Sequence, residues 1–281
     1  MISYSKQVID SKEIRAVSKV LKSEYLTQGP LVKKFEEKIS NYCNSKYAIA
    51  VNSATSGLHI ACMTLGVKKN DIVWTSAISF VASANAAVYC SADIDFLDIS
   101  LEDYNIDIKS LEKKLIVAKR KNKLPKVIIV VHFAGNPCQM KEIYLLKKRY
   151  KFKIIEDASH ALGARYINKR VGNCEFSDMC VFSFHPVKSI TTAEGGIVTT
   201  NNKKFFNDLK LYREHGINRN FINKKVRPKY YEQIKLGYNY RMNEIEAAIG
   251  IEQLKKLDSF ISKRVEIYNS YKSKLKNNLF E

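Results

Sequence analysis

Seven short apolar runs punctuate the first 200 residues, at 48–51, 71–75, 93–97, 126–131, 153–156, 179–184 and 196–200. Each has the length and β-branched content of a buried strand. Between most of them, apolar residues recur at i, i+3 and i+4: Leu58 to Leu65, Ile108 to Val117, Ile143 to Tyr150. Strand–helix–strand repetition constrains the chain strongly. It predicts an α/β fold with a seven-stranded, mostly parallel sheet covered by helices. The last two runs are joined by a turn alone, so that pair need not be parallel.

Beyond residue 200 the pattern changes. Residues 203–216 read as a helix closed by Gly216. Residues 217–235 are basic and irregular, with Pro228 among them. From Met242 onward the sequence reads as helical almost to its end, with Asn243 as N-cap and Glu246 at capping-box spacing.

Composition narrows the function classes. With 281 residues, 46% hydrophobic and 27% charged, the chain has ample material for a core. No apolar run is long enough to span a bilayer, and the first residues lack a signal-peptide pattern, so a cytoplasmic location and no membrane partner are expected. Six scattered cysteines without C-x-x-C spacing predict reduced, mostly buried thiols and no metal site. The net charge of +19 allows a nucleic-acid partner. Its lysines are spread over helix faces and loops rather than gathered in a recognition motif, so a lysine-rich surface is the preferred reading.

Ligands of open α/β sheets collect at the C-terminal strand ends. Four segments fall there. At 51–61 a strand gives way to a helix through Ala54, Thr55 and Ser56, and a helix start of small hydroxylic residues suits an anion or a plain N-cap. At 153–164 a buried strand ends in Glu156-Asp157, with His160 three residues further on. A carboxylate there calls for a facing cation or donor; His160 alone also reads as a core histidine. At 183–196, "SFHPVKSITTAEGG", Lys188 follows a strand within small polar residues, suited to a nucleophilic amine or to a surface loop. At 76–87, Phe80 could stack on a planar ring or simply fill core. Together these supply what pyridoxal phosphate requires: an amine, an anion site and a carboxylate for the ring nitrogen.

Six segments then carry a family resemblance: "LTQGP" (26–30), "NSATSGL" (52–58), "ISFVASAN" (78–85), "EDASHALGA" (156–164), "SFHPVKSITTAEGG" (183–196) and "GYNYRMNEIEAAIG" (237–250). In this order the chain resembles the DegT/DnrJ/EryC1/StrS nucleotide-sugar aminotransferases, a branch of the fold-type I pyridoxal-phosphate enzymes. The resemblance implies that Lys188 is the catalytic Schiff-base lysine and Asp157 the partner of the pyridine nitrogen. It puts His160 beside the ring hydroxyl and Phe80 over the ring. It assigns Ala54, Thr55, Ser56 and Ser183 to the phosphate cradle. Asn239 would reach the phosphate of a neighbouring subunit, which implies a homodimer with shared sites. Tyr4 and the stretch Tyr25, Leu26, Thr27 would line the sugar-nucleotide pocket.

The implied reaction moves an amino group from glutamate to C4 of a UDP-4-keto-6-deoxy-N-acetyl-hexosamine, on the route to pseudaminic acid. The implied organisation is a cofactor-binding large domain with an N-terminal arm (1–240), then connecting helices (241–281) leading into a C-terminal small domain. Family chains continue well past the equivalent of Glu281, so most of that small domain is expected to be missing. The alternative expectation is a non-catalytic remnant that keeps the fold; a basic nucleic-acid-binding protein stands third.

Overall fold

A computed structural model describes residues 5–218 and 231–275. Tyr4, residues 219–230 of the basic stretch and residues 276–281 lie outside the described residues. Seven strands form one sheet: β1 (Tyr47–Val51), β2 (Ile72–Ser76), β3 (Asp93–Leu97), β4 (Val127–Val131), β5 (Lys153–Asp157), β6 (Met179–Ser183) and β7 (Gly196–Thr200). Their spatial order is β1-β7-β6-β5-β4-β2-β3. All seven coincide with the apolar runs within a residue or so. The run from β3 to β6 is parallel, whereas β7 is antiparallel to both β1 and β6. The reason is connectivity: no crossover helix separates β6 from β7, so the chain reverses direction.

Helices cover both faces. On one face, α3 (Ala54–Thr64), α4 (Val81–Val88) and α7 (Lys203–Arg213) bury Leu58, Ala86 and Leu209 against Val51, Ile129, Ile155 and Val181. On the other, α5 (Ile108–Arg120) and α6 (Met140–Tyr150) bury Leu111, Leu115 and Ile143 against Trp74, Ile128 and Ile154. Strand alternation thus sends Ile155 and Asp157 of β5 to the α3–α4 face, and Ile154 and Glu156 to the opposite one.

Two helices precede β1, α1 (Ser11–Leu21) and α2 (Pro30–Cys43). Asp10 and Glu13 make a capping box at α1, and Pro30 opens α2 at its first turn. The C-terminal helical stretch divides into α8 (Glu244–Leu254) and α9 (Leu257–Lys274). The capping box at Asn243 and Glu246 is present. The break between them lets Lys256 reach Glu13 at 2.5 Å and Asp10 at 2.8 Å, and Leu257 is fully buried beyond it. Glu244, itself 1% exposed, accepts from the Leu31 and Val32 amides at 2.7 and 3.2 Å and so caps α2. All six cysteines are free, five of them buried. Among the described residues, no helix is long and apolar enough to cross a membrane.

Candidate active site

The ends of β4, β5 and β6 and the start of α3 enclose a cleft of about 540 Å³. Ser53 caps α3, its Oγ accepting from the Ser56 amide at 3.1 Å. The amides of Ala54 and Thr55 have no intrahelical acceptor, and both residues line the cleft. Gly196 lets this helix start press onto β7, since a Cβ there would lie 2.5 Å from the Ala54 nitrogen. Ser183 lines the same wall at the end of β6. The Ser56 hydroxyl lies behind it, donating to Asn52 Oδ1 at 2.7 Å.

Asp157 ends β5, buried at the cleft floor. Ser83 of α4 donates to its Oδ2 at 2.6 Å; the Ser159 hydroxyl and amide donate to its Oδ1 at 2.6 and 3.2 Å. Three donors fix the carboxylate's orientation and leave acceptor capacity toward the cleft.

Lys188 projects from the β6–β7 loop. That loop is tied by Phe184 N–H to Gly195 O (2.9 Å), Thr192 N–H to Phe184 O (3.0 Å) and Lys188 N–H to His185 O (2.9 Å). Ala193 sits in the left-handed region at φ 72°, a costly conformation for a residue with a Cβ, held by its amide donating to Thr191 Oγ1 at 3.0 Å. Lys188 Nζ donates to His160 Nε2 at 2.7 Å. Burial lowers the Lys188 pKa below that of an ordinary lysine, with the Asp157 charge pulling the other way. Burial and then the Lys188 charge push His160 down as well, so a neutral imidazole accepts the ammonium proton. Phe80, 74% exposed, precedes α4 at the cleft rim.

The cleft therefore gathers Lys188, Asp157, His160, Phe80, Ser183, Ala54 and Thr55. Tyr25, Leu26 and Thr27 are exposed away from its lining. Asn239 is exposed too, its backbone bridged to Glu214. It is flanked by Tyr238 and Tyr240, whose rings stack at 4.9 Å and pack on the buried His59. Tyr4 lies outside the described residues. Sequence reasoning missed Ser83, Ser159 and His132. The strand-end rule that found Asp157 would also have found His132, one residue past β4.

The residue set fits pyridoxal phosphate. An amine of lowered basicity, a carboxylate with spare acceptor capacity and a helix start with free amides line one cleft large enough for the group.

Known proteins share this fold and much of this sequence. The model of the DegT/DnrJ/EryC1/StrS aminotransferase family matches residues 7–280. A UDP-4-amino-4,6-dideoxy-N-acetyl-beta-L-altrosamine transaminase of Campylobacter jejuni is 46% identical over 279 residues, covering 99% of this chain and 70% of that protein. The Helicobacter pylori protein of the same name is 37% identical over 280 residues, covering 98% and 70%. Among solved structures, Helicobacter pylori PseC, an aminotransferase involved in the biosynthesis of pseudoaminic acid, superposes with a TM-score of 0.88 at 36% identity, over 99% of this chain and 71% of that one. The PLP-form of the putative sugar aminotransferase Spr1654 from Streptococcus pneumoniae gives 0.85 at 28% identity, over 97% and 71%. A family match over residues 7–280, with a relative 46% identical across nearly the whole sequence and a shared fold, places the chain in the DegT/DnrJ/EryC1/StrS aminotransferase family.

Proposed function

We propose that this chain is a pyridoxal-phosphate aminotransferase that moves the amino group of glutamate onto C4 of a UDP-4-keto-6-deoxy-N-acetyl-hexosamine. The observation that carries the reading is the convergence of Lys188, Asp157 and the α3 N-terminus on one cleft. The altrosamine transaminases among its relatives support the sugar assignment.

Pyridoxal phosphate, when bound, supplies an electron sink for the carbanion left on removal of the donor's α-proton. The protein does the rest. Ala54, Thr55 and Ser183 hold the phosphate, with Ser56 and Asn52 bracing the turn from behind. Asp157, aimed by Ser83 and Ser159, holds the proton on the ring nitrogen. Phe80 covers the ring and excludes water from that side. His160 meets the ring hydroxyl and accepts from Lys188 until that amine is engaged. Lys188 then carries the proton between the donor's α-carbon and the acceptor position, and desolvation favours its neutral, proton-accepting form.

In this reading Asn239 reaches the phosphate of a second copy, so the working unit is a homodimer with shared sites. Tyr4 and Tyr25 to Thr27 meet the sugar nucleotide. Residues 1–240 form the cofactor-binding domain, and residues 241–281 lead into a smaller one. Incubation with the UDP-4-keto sugar, glutamate and pyridoxal phosphate tests the activity, with the amino sugar read by mass spectrometry. Stoichiometric 2-oxoglutarate and amino sugar are expected. Cofactor capture without amination would contradict the activity and leave a remnant that keeps the fold.

A further inference from the structure

β5 presents a different carboxylate to each face of the sheet. Asp157 faces the cleft; Glu156, 5% exposed, points the other way. Ser177 donates its hydroxyl to Glu156 Oε1, and His132 Nε2 lies 2.8 Å from Oε2. His132 is 1% exposed and sits one residue past β4, its own amide donating to Asp157 O at 3.1 Å.

The charge of this network can be placed. The Cys138 backbone amide can only donate, and it donates to His132 Nδ1 at 3.2 Å. Burial opposes a charge on the ring while the Cys138 and Glu156 side chains push its pKa up, but an imidazolium would turn Nδ1–H against that amide, and this geometry decides. His132 is therefore neutral, with its single proton on Nε2 aimed at Glu156. The negative charge rests on Glu156. Arg170 borders the same small cavity, yet its guanidinium is taken by Tyr42 and Asp258. The other titratable neighbours, Cys43, Cys174 and Cys180, are held as thiols, by burial first and by the Glu156 charge in addition. With His132 neutral, no cation bonds Glu156 among the described residues.

We propose that Glu156 is a charge-setting residue: its uncompensated anion, immediately behind Asp157, strengthens the hold of the Asp157 site on a proton borne by a bound heteroaromatic ring nitrogen. The inference rests on the cofactor reading above. The physical reason is that two like charges close together in a buried setting each raise the other's affinity for a proton or a cation. The His132–Ser177 frame fixes Glu156 in place, so it is a positioning frame and not a reacting one.

The test uses the whole chain loaded with pyridoxal phosphate carrying nitrogen-15 in its ring. The ring nitrogen is followed by NMR as pH rises, and cofactor affinity is read separately by fluorescence. Glu156→Gln removes the charge, its oxygen still accepting from His132 Nε2–H and its NH2 donating to a turned Ser177 hydroxyl; in it the ring nitrogen should lose its proton about one pKa unit lower, a tenfold weaker hold. An unchanged titration in that variant overturns the proposal. His132→Gln replaces one neutral donor–acceptor pair by another and should leave the titration where it is. An upward shift there would mean His132 was cationic and would overturn the proposal independently, even if Glu156→Gln does not fold. Wild-type protein that fails to bind the cofactor would instead sink the functional reading.

Discussion

Lys188 and Lys256 are the same side chain in two opposite settings. Lys256 lies between α8 and α9 with Glu13 and Asp10 at 2.5 and 2.8 Å; burial opposes its charge, but the two carboxylates outweigh it and raise its pKa. Lys188 lies in the cleft with a neutral imidazole for a partner, and burial lowers its pKa. Asp157 is the opposing charge that acts on it, and that carboxylate is turned to Ser83 and Ser159 instead. The corner around α1 pairs its charges among themselves. The cleft leaves an amine, a carboxylate and two amides for something that arrives. Reactivity of a lysine follows from which groups are withheld from it as much as from which are supplied.

The largest expected break in this contrast is Lys188→Ala. It should abolish cofactor attachment and lower transamination by about a thousandfold or more, read by single-turnover kinetics. Lys256→Ala should leave turnover nearly intact but cost about 2 kcal/mol in urea unfolding, because Glu13 is left buried without its cation. Asp157→Asn should keep the fold and the attachment while slowing turnover about a hundredfold, since the amide no longer holds the ring proton by charge. The pH dependence sharpens the comparison. Lys188 must be neutral to accept a proton, so the rate should climb with pH and level off below the 10.5 of an ordinary lysine. Amine-modifying reagents should label Lys188 at lower pH than Lys256.

A smaller effect concerns His59, buried beside Tyr240 Oη at 3.2 Å, its pKa lowered by burial from 6.5. The unfolded chain binds that proton more readily. Stability from this group is present above about pH 6.5 and is lost as pH falls through its folded pKa. His59→Gln should flatten the fall of Tm on acidification between neutral and mildly acid pH.

Much of this was legible before the structure. The strands were readable because each is a short apolar run between turn residues. Asp157 and Lys188 were readable because ligands collect at strand ends. Other features were not. The helices α1 and α2 were missed although both carry caps, Asp10 with Glu13 and Gly29 with Pro30, ahead of apolar residues at helical spacing, Ile14, Val17 and Val20 in α1 and Val32, Phe35 and Ile39 in α2. Ser83 meets Asp157 only through tertiary packing, across a separation of 74 residues, whereas Ser159 lies two residues beyond Asp157 and its contact is local. The single helical period across α8 and α9 hides their break, because Lys255 and Lys256 are good helix formers.

The central claim is that the turn after β6 holds Lys188 for a cofactor. The most direct measurement adds pyridoxal phosphate to the purified chain, reduces with borohydride, digests, and maps the modified peptide by mass spectrometry. The account predicts a visible absorption band that borohydride removes, with the cofactor fixed on the peptide bearing Lys188 and nowhere else. A colourless protein, or label scattered over the surface lysines with Lys188 unmodified, would contradict it.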